Sequence, residues 1–350
     1  MAALVMPPGY RSATEYHLHE EEADAIIQTT AYHRRDYCLS VIWFPPSQHV
    51  SIRSSIATPF QRTSAAGLGF LDRLPLELIC ETLCHLDMHS LFKLRQVNSA
   101  SRRTVDSLPQ YQRIVLHGLR IFCATLRTRV ARDVSLHDFD TALCTKTCKL
   151  CGEFAGFMFL PSWTRCCIKC LQNAPETQMR KVSYVKKQIR LTRGEAFQLQ
   201  PLYCLSGTYS MNEAAQKARI ALVSLRHVVT VCRRHPKPDY PSNDELNKKF
   251  NFMASCALPY LDKETGEADR GVSCAGCQLA LEKDTMGTSG RNSDYNADAR
   301  DKVYSRDRFL DHFRWCDQAQ LLWKSTDQGA RRPPELPRFA QTGGYFRRRK

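Results

Sequence analysis

The clearest periodic pattern lies in LDRLPLELICETLCHLDMHSLFKLRQVNSASRRTVDSL, inside a segment running from about residue 68 to 117. Leu78, Ile79, Leu83 and Leu86 recur at near-helical spacing and form one apolar stripe. Pro75 suits the first turn of that helix, where an N–H has no partner anyway, and Glu77 suits its positive end. Asp87 and His89 break the stripe, and Ser90 is placed to cap a second helix. Leu91, Leu94 and Val97 then share a face, with Lys93, Arg95 and Gln96 falling elsewhere. A helical unit of ~45 residues buries little apolar surface by itself, so one this rich in leucine leans on a partner.

Patterning is weak at both ends. Residues 1–67 hold MPPGY, HEEEAD and FPPSQHVSIRSSIATPF without sustained period, which predicts disorder. Within them CLSVIWF, Cys38 to Phe44, fits a short strand or a docking segment, stopped by Pro45 and Pro46. Residues 326–350 read as a basic disordered tail ending in RRRK, either a solvated end or a nuclear import signal. Between the organised parts, 118–143 reads as a helical connector, and 144–325 as a cysteine-bearing region. There, Val182, Val185 and Ile189 share a side, and Thr192 with Glu195 has the spacing of a capping box. The stretch 282–304, rich in Gly, Ser, Asn and Asp, predicts an exposed mobile loop. No fixed-period repeat is present, which argues against a solenoid.

The cysteines change this picture most. There are 16 of them, several in C-x-x-C pairs, in a chain that shows no secretory signal, so thiolate coordination explains them better than disulfides. Cys148-x2-Cys151 and Cys167-x2-Cys170 are separated by fifteen residues, the spacing of a zinc ribbon, with a hairpin between them. Cys144 and Cys166 are near enough to substitute, so the choice of ligands among Cys144, Cys148, Cys166 and Cys167 stays open. A second set is Cys274 and Cys277 with His312 and Cys316. Ser305 is placed to cap a helix in which Phe309, His312, Phe313, Cys316 and Trp323 fall at helical spacings, so His312 and Cys316 reach one ion together. Two structural zinc ions are expected, each with four protein ligands and no open position.

Formal charge is +15, and two thiolate-zinc sites bring it to about +12. The basic stretch MRKVSYVKKQIRLTR fits phosphate contact or simply a solvated helix face. No run approaches the ~20 apolar residues of a membrane span, and an intracellular protein, cytoplasmic, nuclear or both, is expected. No P-loop, dinucleotide fingerprint or nucleophile elbow is present, so no enzyme is expected.

Leu74-Pro75-x-Glu77-Leu78, the spaced leucines and Leu94-Arg95-x-Val97 resemble the F-box. With VNSASRRTVDSLPQYQRIV, CKLCGEFAGFMFLPSWTRCCIKCL, LSGTYSM, GVSCAGCQLA and FLDHFRWCDQAQLLW, the chain resembles fungal F-box proteins carrying a cysteine-rich, zinc-binding C-terminal region. The likeness covers residues 70–117 and 144–323. It implies an α+β chain: a small helical F-box over 68–117, then an irregular zinc-stabilised domain with a ribbon-like hairpin and a C-terminal helix. It further implies that Leu74, Pro75, Leu78, Ile79, Leu83, Leu91, Leu94 and Val97 bind a Skp-type adaptor of a cullin-RING ubiquitin ligase. After Val97 many F-boxes carry a basic residue and a large aromatic, whereas this chain has Asn98, Ser99, Ala100 and Ser101, which implies altered adaptor affinity. The resulting expectation is a non-catalytic receptor subunit presenting an unknown protein target through residues 144–325. The competing expectation is a zinc-dependent nucleic-acid-binding or regulatory protein, favoured by charge and not by the F-box.

Overall fold

A computed structural model describes residues 11–45, 47–57, 67–233, 244–287 and 293–333. These fall into two compact units, one drawn from 38–150 and 155–268, the other from the N-terminal segment up to 37, 151–154 and the chain from 269 onward. No described helix is long and apolar enough to cross a membrane.

The larger unit begins with a set of short helices. Leu76–His85 starts one residue after Pro75, which stands at the cap rather than inside the first turn. Asp87, not Ser90, caps Met88–Leu94: its carboxylate accepts from the His89 and Ser90 N–H groups at 3.1 and 2.9 Å. The residue that breaks the apolar stripe is the residue that starts the next helix. Asn98 caps Ser99–Ser107 by accepting from the Ser101 N–H at 2.8 Å. Pro109–His117 follows, with Pro in the first turn.

Residues 118–143, expected as a helical connector, are helical and also build the core. They supply helices Leu119–Thr128 and Leu136–Leu143, and Phe122 becomes the centre of the helical core. Phe92, Tyr111 and Phe139 meet the Phe122 ring edge-on at 6.3, 6.2 and 6.4 Å. Such pairs add to the ~2 kcal/mol that burying each ring contributes. Arg95, expected on a polar face, is instead 1% exposed. Its guanidinium grips Asp106 at 2.6 and 3.1 Å and donates to the Ser55 carbonyl at 2.7 Å. A buried cation needs such partners, and they come from distant sequence.

Small sheets complete this unit. Thr164–Cys166, Phe157–Phe159 and Ser255–Ala257 lie antiparallel in that order, pairing Phe157 with Cys166 and with Ala257. Cys38 to Phe44 belongs to neither expected class as a whole: helix Arg35–Ser40 is followed by a bridge from Ile42 to Cys256, with Val41, Ile42 and Phe44 buried. A second sheet orders Met179–Lys181, Ala221–Ser224 and Leu202–Tyr203. Against it pack Val185, Ile189, Leu199, Val228 and Cys232 in a core of their own. The Thr192–Glu195 capping box is present and opens helix Arg193–Gln198.

The other unit corrects the expectation of a disordered N-terminus. Ala23–Thr30 is helical, and Ala31–Tyr32 pairs with Ser273–Cys274. Ile26 is fully buried, and Tyr16 meets Phe313 edge-on at 5.1 Å and accepts from the Trp323 indole at 3.0 Å. Arg34 is buried with Asp36, held by bonds of 2.9 and 2.6 Å, and reaches Asp301 at 3.0 Å. These few apolar and charged residues suffice because their partners lie in the C-terminal part of the chain. The expected loop 282–304 is also corrected: helices Ala275–Thr285 and Ser293–Asp301 occupy its ends, and Asn296 and Arg300 are buried. Residues 1–10, 46, 58–66, 234–243, the middle of that expected loop at 288–292, and the tail from 334 lie outside the described residues.

Candidate metal centres and docking face

The second cysteine set converges. Cys274, Cys277, His312 and Cys316 place one ligand atom each within 4.8 Å of all the others. Cys274 caps helix Ala275–Thr285, its sulfur accepting from the Cys277 N–H at 3.4 Å, which sets the two thiols on one side of a tight turn. His312 and Cys316 do not share one helix as expected. The helix Arg306–Phe313 ends, and Cys316 is the cap residue of Asp317–Ser325. Gln320 relieves that break by donating to the carbonyls of Phe313 and Arg314 at 3.2 and 2.8 Å. Ser305 precedes the first helix without a side-chain cap bond.

The distances test a metal directly. Ligands about 2.3 Å (sulfur) and 2.0–2.1 Å (nitrogen) from a tetrahedral ion stand ~3.8 Å apart for two sulfurs and ~3.6 Å for sulfur and nitrogen. The structure has Cys274 and Cys316 sulfurs at 3.8 Å, Cys277 and Cys316 at 3.9 Å, and Cys277 to His312 Nε2 at 3.5 Å. A disulfide, near 2.05 Å, is far shorter. Tyr304 stacks on the His312 ring at 4.8 Å and fixes its orientation. Phe309, Phe313 and Trp323 wall the site from water.

Electrostatics point the same way. Burial pushes the Cys274 thiol up, yet bonds from Cys277, Cys316 and backbone N–H groups outweigh it and hold Cys274 low. Cys277 is driven up by its bonds to Cys274 and Cys316, then by burial. One thiolate is tolerated among three buried sulfurs; three at once require a cation among them.

The first set also converges: Cys148, Cys151, Cys167 and Cys170 lie within the same 4.8 Å limit. Gly152 follows Cys151 at φ +78, a left-handed turn that favours glycine. The hairpin Phe157–Phe159 with Thr164–Cys166 returns the chain to Cys167, which caps helix Ile168–Asn173 and accepts from the Cys170 N–H at 3.4 Å. Its bond to Cys148, then burial, drives the Cys167 thiol up. Cys144 and Cys166 stand outside this group. Sequence had left that choice open because spacing alone does not say which way a side chain turns. Arg165 is buried and donates to the carbonyls of Ala155, Ala142 and Leu258 at 3.1, 2.7 and 3.1 Å, anchoring the hairpin.

Both groups are compatible with structural metal, and a glycine shows how tightly the second is built. A Cβ on Gly276 would meet the Ala319 nitrogen at 2.3 Å and its Cα at 2.7 Å. Gly276→Ala is therefore expected to cost about 2 kcal/mol or more through overpacking against a backbone that cannot yield. A denaturant midpoint within error of the parent's would refute this close approach.

The residues expected to meet an adaptor divide in two. Leu74, Pro75, Leu78 (54% exposed) and Val97 (68% exposed) face solvent, and Leu94 is half-buried. Ile79, Leu83 and Leu91 are buried in the chain's own core. Phe70 (83% exposed), Leu71 and Leu76 are exposed too. Sequence reasoning missed them, although 71, 74 and 78 follow helical spacing. Asn98 donates from its side chain to the Gly67 carbonyl at 3.1 Å, which draws the Val97 corner to the start of this stretch. Asn98, a departure from the family pattern, thus closes the unit.

The F-box domain family matches residues 71–113, the segment that holds this face. An F-box domain implies a Skp-type adaptor as partner and the role of a receptor in an SCF-type ubiquitin ligase. No curated protein and no solved structure matches the chain.

Proposed function

We propose that this protein is a non-catalytic substrate-receptor subunit of an SCF-type cullin-RING ubiquitin ligase. The observation that carries the reading is a set of exposed apolar side chains, Leu71, Leu74, Leu76, Leu78 and Val97 within the F-box match and Phe70 just before it. Isolated exposed apolar residues are ordinary, but six of them in and beside one partner-dependent motif favour an interface. The docked adaptor would cover these residues, while Ile79, Leu83 and Leu91 hold the helices that present them. The regions beyond residue 144, stiffened by zinc in both cysteine groups, would carry the target. Catalysis then belongs to partner subunits, and this chain contributes proximity, raising the target's local concentration at the loaded conjugating enzyme.

Co-expression with a Skp-type adaptor tests the reading. A stable one-to-one complex that also recruits the cullin is the expected result. A chain that ignores the adaptor and instead binds DNA or RNA with steep salt dependence would support the nucleic-acid alternative.

A further inference from the structure

The sheet of Met179–Lys181, Ala221–Ser224 and Leu202–Tyr203, with the helices packed on it, holds much of the chain's charge: residues 179–233 carry ten basic and two acidic side chains, a net +8 of the total +15. Phe197, on helix Arg193–Gln198, is 85% exposed, more than any other large apolar side chain among the described residues. Its helix is firmly seated. The Thr192–Glu195 capping box opens it, and Leu199 at its end is buried in the core beneath. Arg193 stands four positions before Phe197, one turn away on the same face. Helix Leu225–Cys232 packs alongside, and His227 Nε2 donates to the Gln198 carbonyl at 3.0 Å, which brings the exposed pair Arg226 and His227 to the Phe197 end of the first helix. Neither Arg193 nor Arg226 forms an ion pair among the described residues. Glu195, the acid of this helix, turns its carboxylate back to the Thr192 N–H at 2.7 Å. Elsewhere this chain behaves differently: Arg34, Arg95 and Arg113 each grip an aspartate with two nitrogens.

A bare aromatic ring on an ordered helix, with two unpaired arginines near it, has the composition of an interface anchor. We propose that Arg193, Phe197 and Arg226 form a docking face for an acidic segment of the protein target, one that carries an apolar side chain among its carboxylates. The ring covers the apolar side chain, and guanidinium forks match carboxylate oxygens. The surrounding positive charge draws such a segment in and repels basic competitors. A single strand of nucleic acid answers the same charge, but sites for it stack successive bases on several rings, and this helix presents one. The proposal rests on the receptor reading and names what the target offers.

Fluorescence anisotropy on the full metal-loaded chain at physiological ionic strength tests it with three labelled probes: a peptide alternating glutamate with leucine, its counterpart with lysine in place of glutamate, and oligothymidine. Saturable binding of the acidic peptide, tighter than that of either other probe, is expected. Phe197→Ala should weaken it by about tenfold, and so should Arg193→Gln combined with Arg226→Gln. All three positions are exposed, so melting temperatures should stay within ~2 °C of the parent's. Should either variant melt early, the other carries the comparison. Capture of a Skp-type adaptor, measured on the same variants, should not change. A chain that captures the adaptor yet does not bind the acidic peptide loses this face alone, whereas one that binds the peptide through these residues and ignores the adaptor keeps the face and loses the receptor reading. Absence of saturable binding, an affinity unchanged in Phe197→Ala, or tighter binding of oligothymidine overturns the proposal.

Discussion

Changing Leu78 and Val97 together to aspartate is expected to abolish co-purification with a Skp-type adaptor while the chain stays folded. Both side chains already stand mostly in water, so their replacement removes little from the folded state. Surface changes of this kind shift stability by about 0.5 kcal/mol, a melting change of ~2 °C. In the complex the same carboxylates would be buried against apolar surface without partners. Loss of two anchors at ~2 kcal/mol each corresponds to a weakening of several hundredfold or more. Leu83→Ala supplies the contrast: its side chain is 3% exposed, and truncation should cost about 2–5 kcal/mol of stability. A double-aspartate chain that melts normally and still captures the adaptor would remove the basis of the docking face.

Metal removal is expected to have the larger structural effect. Parent protein should carry about two zinc ions, and Cys277→Ser about one. Structural zinc contributes ~10–16 kcal/mol in small zinc-finger peptides, more than the whole stability of many domains. Without an ion the three buried sulfurs of the second group tolerate only one thiolate, so Cys277→Ser or chelation should unfold the parts that surround it. Hydrogen exchange gives the readout: amide protection at residues 23–32 and 309–323 should vanish together, because Ile26 and Trp323 share one core with these ligands. Metal-free protein that keeps protection at Phe309 and Phe313 would show the cluster to be ordinary packing.

What could be read from sequence was what depends on near neighbours. Leucine spacing in 76–97, the Thr192–Glu195 cap and the two C-x-x-C knuckles are all set within a few turns of chain, and each matches an element in the structure. Ligand convergence in both cysteine groups was legible for the same reason. The helix break before Cys316 was not, because it depends on the Gln320 side chain satisfying carbonyls six and seven positions back while Gly276 admits the backbone of Ala319. Division of the F-box leucines was equally hidden. A 3.6-residue period says that Leu78 and Ile79 differ in direction, but the core that covers Ile79 comes partly from 119–143, a stretch without a strong signal of its own. Arg95 reads as a surface cation until Asp106 and Ser55 are known to meet it. The N-terminal stretch looked incapable of folding because its own apolar residues are few; they suffice when Trp323 and Phe313 complete the core.

Tyr16 and Trp323 are bonded across 307 positions, and Arg11 bridges to Cys316. On the ribosome the first of these residues emerges long before its partner has been translated. The N-terminal segment must therefore wait while the 307 positions that separate Tyr16 from Trp323 are made, and the helices around Phe122 can already condense in that time. Its docking, and with it the closing of the second metal centre, becomes one of the last events in the birth of the molecule.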